Sequence, residues 1–372
     1  MHRLSFRSSA VLLSPAFVAF SVLTILAIDD SRREWMWATY QYHEALLLVA
    51  VLAAACACWD SQAHAKLEDI VASSPRAFAS WVRVWSGSFG VATTIYAFGA
   101  IVTWLRVLVL GRASDPWIRP ALSMIPAIAV IALFCTFGVA VGARFRQPFM
   151  APIAGIAAFG AFVASLSVSE LLLSMGGSGS AMFSNTPRID VLAMRTLLGG
   201  SLTALGLGML PSVDRLRPWL AGAALTALAA FTYLLTGNSQ YAQASPTVTC
   251  VGAEPSICFA EAYADLEPGV RREFAPFFAR LRTAGLPLPN GYSQDPNDLT
   301  RVTLDPLGFD ADIAASMVVN GFADKRTCSA FADRPTASAW SDLVTFVRRD
   351  DNRVSAEQAR AAIELLRQCS AR

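Results

Sequence analysis

Histidine is the scarce reagent in this chain of 372 residues, occurring only as His2, His43 and His64. Any reaction that needs an imidazole base must find it among the first 64 positions. Gly176-Gly177-Ser178-Gly179 offers a serine in a G-x-S-G pattern. A nucleophilic serine needs an adjacent base, and no histidine follows His64, so a flexible glycine-rich loop is the plainer reading. His43-Glu44 is followed by Leu47, not by a second histidine, which excludes the H-E-x-x-H zinc pattern. No G-x-x-x-x-G-K-[ST] loop is present to cradle the phosphates of a nucleotide. Four cysteines, Cys250, Cys258, Cys328 and Cys369, fall after residue 236 in a stretch without histidine. That set argues against a zinc site or a histidine-based hydrolase there. An even number of cysteines outside the cytoplasm suggests disulfides, and four allow three connectivities. Cys250–Cys258 and Cys328–Cys369 are favoured because both close sequence-local loops.

These residues sit in a chain of uneven polarity. Overall 54% of residues are hydrophobic and 16% charged, where soluble domains carry about a quarter charged. Residues 1–236 hold sixteen Lys/Arg and eleven Asp/Glu; residues 237–372, a much shorter stretch, hold fourteen and seventeen. The division predicts a membrane domain over 1–236 and a soluble domain over 237–372. A net charge of +2 with no basic stripe argues against nucleic acid. About 20 mostly apolar residues cross a bilayer as helix. Stretches that qualify are Ala10–Ile28, Trp37–Trp59, Val84–Leu105, Ala121–Ala143, Pro148–Ser169 and Pro218–Thr236. A weaker one covers about 191–212, giving seven spans. Cys56, Cys58 and Cys135 lie inside spans, where a thiol is a small hydrophobe.

Lys and Arg in the loops set orientation. With the N-terminus inside, the inner loops carry Arg3, Arg7, Lys66, Arg76, Arg83, Arg144, Arg146, Arg215 and Arg217. The outer loops carry Arg32, Arg33, Arg112, Arg119 and Arg188. The bias places the N-terminus in the cytoplasm and, after seven spans, residues 237–372 outside. Glu44 and Glu170 are the acidic residues closest to the hydrocarbon and are candidates for a substrate or proton role. Both lie near outer ends, where a carboxylate also reaches headgroups or water, and Arg195 reads as snorkelling to the same interface.

Two further segments are patterned. The tail shows helical spacing over Pro268–Ala284, Asp310–Phe322, Ala337–Arg349 and Ala356–Ser370, with Ser355 and Gln358 forming a capping box, and no useful alternating β pattern. The inner loop 60–83 places Leu67, Ile70, Val71, Phe78, Trp81 and Val82 at helical intervals beside Lys66, Glu68, Asp69, Arg76 and Arg83. Pro75 breaks the run near Ser74. The expectation is an amphipathic helix, a bend and a second helix entering the membrane; an interfacial anchor is the blander alternative.

Leu67-Glu68-Asp69-Ile70-Val71-Ala72-Ser73-Ser74-Pro75 resembles the Leu-Glu-x-Leu-Leu-x-Thr-Pro-like coupling stretch of permease subunits of type-2 ATP-binding-cassette exporters. The acidic-x-Gly that precedes it in the family is replaced here by Ser61-Gln62-Ala63-His64. The basic N-terminal flank and the turn Gly142-Ala143-Arg144-Phe145-Arg146-Gln147-Pro148 also resemble that plan. The likeness extends to about residue 212. It implies an all-α polytopic helix bundle with a six-span permease core. A seventh span and a small, mainly helical, disulfide-containing extracytoplasmic domain would be additions, similar to those of some actinobacterial permeases. It further implies that Leu67, Glu68, Ile70, Val71, Pro75 and Arg76 seat in a separate ATPase subunit, which binds the ATP and Mg, so this chain needs no cofactor. A second permease copy or homologue and membrane lipid would be the other partners. The rival expectation is a multispan anchor or sensor displaying the tail.

Overall fold

The computed structural model describes residues 8–27, 35–66, 77–110, 117–168, 185–210, 217–236, 241–243, 248–252, 255–289, 291–295, 298, 301–304, 311–322, 334–348 and 353–369. The chain divides into two compact units, with the division in the main chain between Gln243 and Ala244.

The first unit is a helix bundle. After the single turn α1 (Ser9–Leu12) come α2 (Ser14–Ala27), α3 (Trp35–Tyr42), α4 (Ala45–Ala65) and α5 (Ala77–Leu110). They are followed by α6 (Ile118–Leu122), α7 (Met124–Arg144), α8 (Met150–Val168), α9 (Ile189–Gly208) and α10 (Arg217–Thr236). Among the described residues, five helical stretches are long and apolar enough to cross a membrane: Trp35–Ala65, Phe78–Val109, Ile118–Arg144, Ile189–Gly208 and Trp219–Thr236. Ser14–Ala27 and Met150–Ser165 are shorter apolar stretches. Side-chain bonds show α2 and α5 running in one direction and α4 in the other. Near one end of the bundle Arg106 on α5 donates to the Ile25 carbonyl on α2, and the Trp104 indole donates to Thr39 on α3. Near the other, Ser8 at the start of α1 donates to Asp60 at the far end of α4. Exposed Trp117 marks the first end, and exposed Trp59 and Trp219 the second, as expected for rings at the two interfaces of a membrane.

Helix α4 is the centre of the bundle, packed by α2, α5, α7 and α8. Its inward residues are small: Ala45, Ala50, Ala53, Ala54 and Ala57 are wholly buried. Its partner α7 brings glycine to the same seam. A Cβ at Gly138 would fall on the Ala54 carbonyl, and one at Gly142 on Ser61 Oγ and the Cys58 carbonyl. The two backbones touch there, and only glycine fits. Helices α9 and α10 form a hairpin joined to the bundle through α7, where Gly199 meets Ala129 and Gly206 meets Thr136. Its ends are tied by Arg188, Asp190 and the Tyr233 hydroxyl. A two-stranded antiparallel ribbon of β1 (Asn185–Pro187) and β2 (Tyr241–Gln243) closes that end.

The second unit corrects the all-α expectation. It carries β3 (Val248–Val251), β4 (Ser256–Ala260), β5 (Gly291–Ser293) and β6 (Val302–Thr303) in the order β3-β4-β5-β6, the first pair antiparallel and the others parallel. Its strands are two to five residues long, and β4 is nearly all buried, so neither length nor alternation betrays them in sequence. The four tail helices are present as α11 (Glu267–Thr283), α12 (Ala311–Asn320), α13 (Arg334–Arg348) and α14 (Ala356–Cys369). Gln358 and Ser355 exchange the two capping bonds at the start of α14. Gly285, at φ 64°, ends α11 while Leu286 N–H returns to the Leu281 carbonyl, a left-handed stop that glycine adopts without penalty. Phe274 and Phe278 of α11 meet Tyr292 of β5 with ring centroids 5.1–6.2 Å apart, the Phe274 ring edge-on to both others. Cys250 and Cys258 face each other across β3 and β4 and are disulfide-bonded. Cys369 ends α14, while Cys328 and therefore the second expected pairing lie outside the described residues.

Gly138→Ala is expected to destabilise the purified chain by about 1–3 kcal/mol, read as a lower melting temperature in detergent. Gly160→Ala, whose Cβ would meet open space, should leave it unchanged or raise it. In the tail, burial holds the Tyr292 phenol well above its usual value of 10.0. The unfolded chain loses that proton first, so the stability is complete below pH 10 and is lost as pH rises beyond it. Tyr292→Phe should remove this component of the alkaline unfolding of the tail, followed by near-ultraviolet dichroism.

Candidate functional site

Two helices of the membrane unit are interrupted, and their interruptions meet. Between α3 and α4 the chain tightens: His43 N–H bonds to the Thr39 and Tyr40 carbonyls, and Glu44 N–H to the Gln41 carbonyl. Between α6 and α7 Ser123 N–H is shared between the Arg119 and Pro120 carbonyls. Such 3₁₀ steps re-aim side chains that a straight helix would send elsewhere. Here they bring His43 Nε2 to 2.8 Å from Ser123 Oγ.

The hydrogen-bond directions around His43 follow from chemistry. Ser123 spends its proton on the Pro120 carbonyl at 2.6 Å, so its oxygen receives a proton from Nε2. Nδ1 is then the acceptor for the Tyr96 hydroxyl, 2.6 Å away. Behind it the Tyr42 hydroxyl donates to the Tyr96 carbonyl at 3.0 Å and lies 3.3 Å from Ser21 Oγ. Gly99 makes room, since a Cβ there would strike the Tyr42 ring. The cluster joins α2, α3, α5 and α7 by polar contacts in a region where no water competes. Arg195 on α9, 4% exposed, lies within electrostatic reach of the imidazole. It is buried in the bundle and does not snorkel: its position in the second turn of α9 turns it toward α7. Counting from Trp59 at about 1.5 Å per residue, His43 lies about 24 Å along α4.

A second polar node lies at the opposite end of α4. Asp60, 3% exposed, accepts from Ser8 Oγ at 2.6 Å, Ser9 N–H at 2.8 Å and Ser88 Oγ at 3.3 Å. Beyond it Gln62 Nε2 donates to the Gln147 carbonyl at 2.9 Å. His64 Nε2 sits 2.9 Å from Ser80 Oγ, its ring edge-on to Trp81 at 4.7 Å. Residues 60–65, expected to begin the inner loop, are the last turns of α4, held in helix by these partners. The expected second helix of that loop is present from Ala77. Leu67, Glu68, Ile70, Val71, Pro75 and Arg76 lie outside the described residues, as do Glu170 and the Gly176–Gly179 pattern. Glu44 is exposed beside the His43 step and joins neither node.

No protein-family model, curated protein or solved structure matches the chain. The site therefore stands on its own chemistry. Among the described residues no group of three or more His, Cys, Asp or Glu side chains is placed to hold a metal ion. His43, Tyr96, Ser123 and Asp60 were not singled out by sequence motif. One signal was available: His43 and Asp60 are ionisable groups at the borders of apolar runs, a position that is costly unless partnered inside the protein.

Tyr96→Phe removes the donor to Nδ1 and is expected to cost about 1–3 kcal/mol. Tyr96→Phe and Ser123→Ala should be non-additive in a double-mutant cycle of detergent unfolding, because both act through the one ring. Additive losses would show that the two bonds are independent.

Proposed function

We propose that this chain is the membrane-spanning permease subunit of an ATP-driven exporter, with the ATPase supplied by a separate protein. The observation that carries the reading is the bracing of α4 against α5 on either side of residues 67–76. The His64–Ser80 bond and the His64–Trp81 ring contact tie the end of α4 to the start of α5, and the Gln62–Gln147 bond ties it to the α7–α8 turn. A push on the Leu67–Arg76 stretch would reach both helices and the α7–α8 turn at once. Helix α4 would carry it onward along the small-residue seam with α7, a packing that lets helices approach closely and shift between discrete arrangements. In this reading Glu68 and Leu67 contact the ATPase, and ATP and Mg stay with that partner. A second permease copy or homologue completes the path. The chain lies in a cytoplasmic membrane with its N-terminus inside and crosses it seven times, leaving the tail outside.

A second reading has its own support. The tail forms a compact unit with its own core and disulfide, as a protein that displays an extracytoplasmic binding module would require. The two readings part on mutation: a permease fails when residues 67–68 are changed, and a display protein fails when residues 240–372 are removed.

The deciding experiment is affinity purification of the native chain in mild detergent with mass spectrometry of bound proteins. A soluble protein with a phosphate-binding loop is expected to co-purify, and Leu67→Ala with Glu68→Arg is expected to lose it. Absence of any nucleotide-binding protein across several detergents would overturn the exporter reading. In intact cells, a membrane-impermeant thiol reagent should label Cys250 and Cys258 only after reduction.

A further inference from the structure

Asp60 presents an electrostatic imbalance. Its carboxylate is almost wholly withdrawn from solvent, and all three of its hydrogen-bond donors, Ser8, Ser9 and Ser88, are neutral. Among the described residues the ion pairs are Arg188–Asp190, Arg271–Glu267 and Arg301–Asp298, and none involves Asp60. Withdrawing one ion from water costs several kcal/mol unless an opposite charge accompanies it.

The surroundings are chemically uniform. Besides the two carboxylate oxygens, the site gathers Ser8 Oγ and Ser88 Oγ, both bonded to Oδ2. Ser9 Oγ lies 3.1 Å from the Cys56 carbonyl it bonds. A serine hydroxyl has two lone pairs and a proton that rotates freely. Each hydroxyl that now donates to the carboxylate can therefore turn and lend its oxygen to a cation instead. An all-oxygen set suits a hard cation, and a single carboxylate balances a single positive charge.

We propose that Asp60, together with Ser8 and Ser88, binds an alkali-metal cation, Na⁺ or K⁺. The ion supplies the missing counter-charge and links α1 to α4 and α5 at one end of the membrane unit. The inference is independent of whether the chain transports anything.

The test uses the full chain in detergent, unfolded by heat and followed by tryptophan fluorescence, with choline chloride replaced stepwise by NaCl or KCl at constant ionic strength. The melting temperature is expected to rise and saturate with one or both ions, the lower midpoint naming the preferred ion. Ser88→Ala, which removes one ligand oxygen, is expected to raise that midpoint about tenfold. Asp60→Asn should abolish the response. If Asp60→Asn does not fold, the Ser88→Ala midpoint carries the test by itself. Equal melting in choline, sodium and potassium would overturn the proposal. So would a cation response that survives Asp60→Asn, or an unchanged midpoint in Ser88→Ala.

Discussion

Everything in the membrane unit hangs on how closely α4 and α7 approach. Their backbones touch at Gly138 and Gly142, and buried Ala50, Ala53, Ala54 and Ala57 keep that stretch of α4 thin. The His43–Ser123 bond joins the two steps that lead into this same pair of helices. In lipid there is no hydrophobic gain from bringing two apolar helices together, so contact of van der Waals surfaces and a few buried polar bonds must provide the attraction. Small residues supply the first and the His43 cluster the second. Neither works without the other: wider helices would break the bonds, and unbonded polar groups would reward separation.

The same economy explains which parts of the molecule were legible in its sequence. The helices of the membrane unit announce themselves, because a helix must satisfy every backbone amide internally and so writes its full length in apolar residues. The tail helices were visible through their three-and-four spacing, and α14 through Ser355 and Gln358. The disulfide between Cys250 and Cys258 followed from cysteine count and proximity. The sheet was not legible. Strands β4 and β5 pair in parallel across an interval that contains all of α11, β6 adds a two-residue strand beside β5, and strands this short carry no periodicity. Gly291 becomes informative only afterwards, since a Cβ there would press on Ser256.

The polar nodes were hidden for a different reason. Each is built from residues that are common and individually bland: a serine from α1, another from α5, a tyrosine from the middle of a helix. What makes them a site is depth along the bundle, and depth depends on where each helix starts. The apolar run ends at Trp59, six residues before α4 does, so by pattern alone Asp60 falls in a loop. Buried bonds to Ser8, Ser88 and Gln147 extend that helix through Ala65, and no local pattern encodes them. Arg195 is buried for a reason equally absent from its local sequence, since α9 packs on α7 through Gly199 and Ala129.

The disulfide also has a mechanical meaning. The tail receives the chain at the first residue of β3, so tension along the polypeptide from the preceding helix arrives at Val248. Strand pairs opened from an end fail one rung at a time, each rung bearing the whole load in turn. Here only the rungs of Val248 with Ala260 and Thr249 with Phe259 precede the covalent link. Tearing therefore stops after two rungs, and the pull passes directly into β4, the buried interior strand of the sheet. Whatever force reaches the tail along the chain is delivered to its core, not dissipated at its edge.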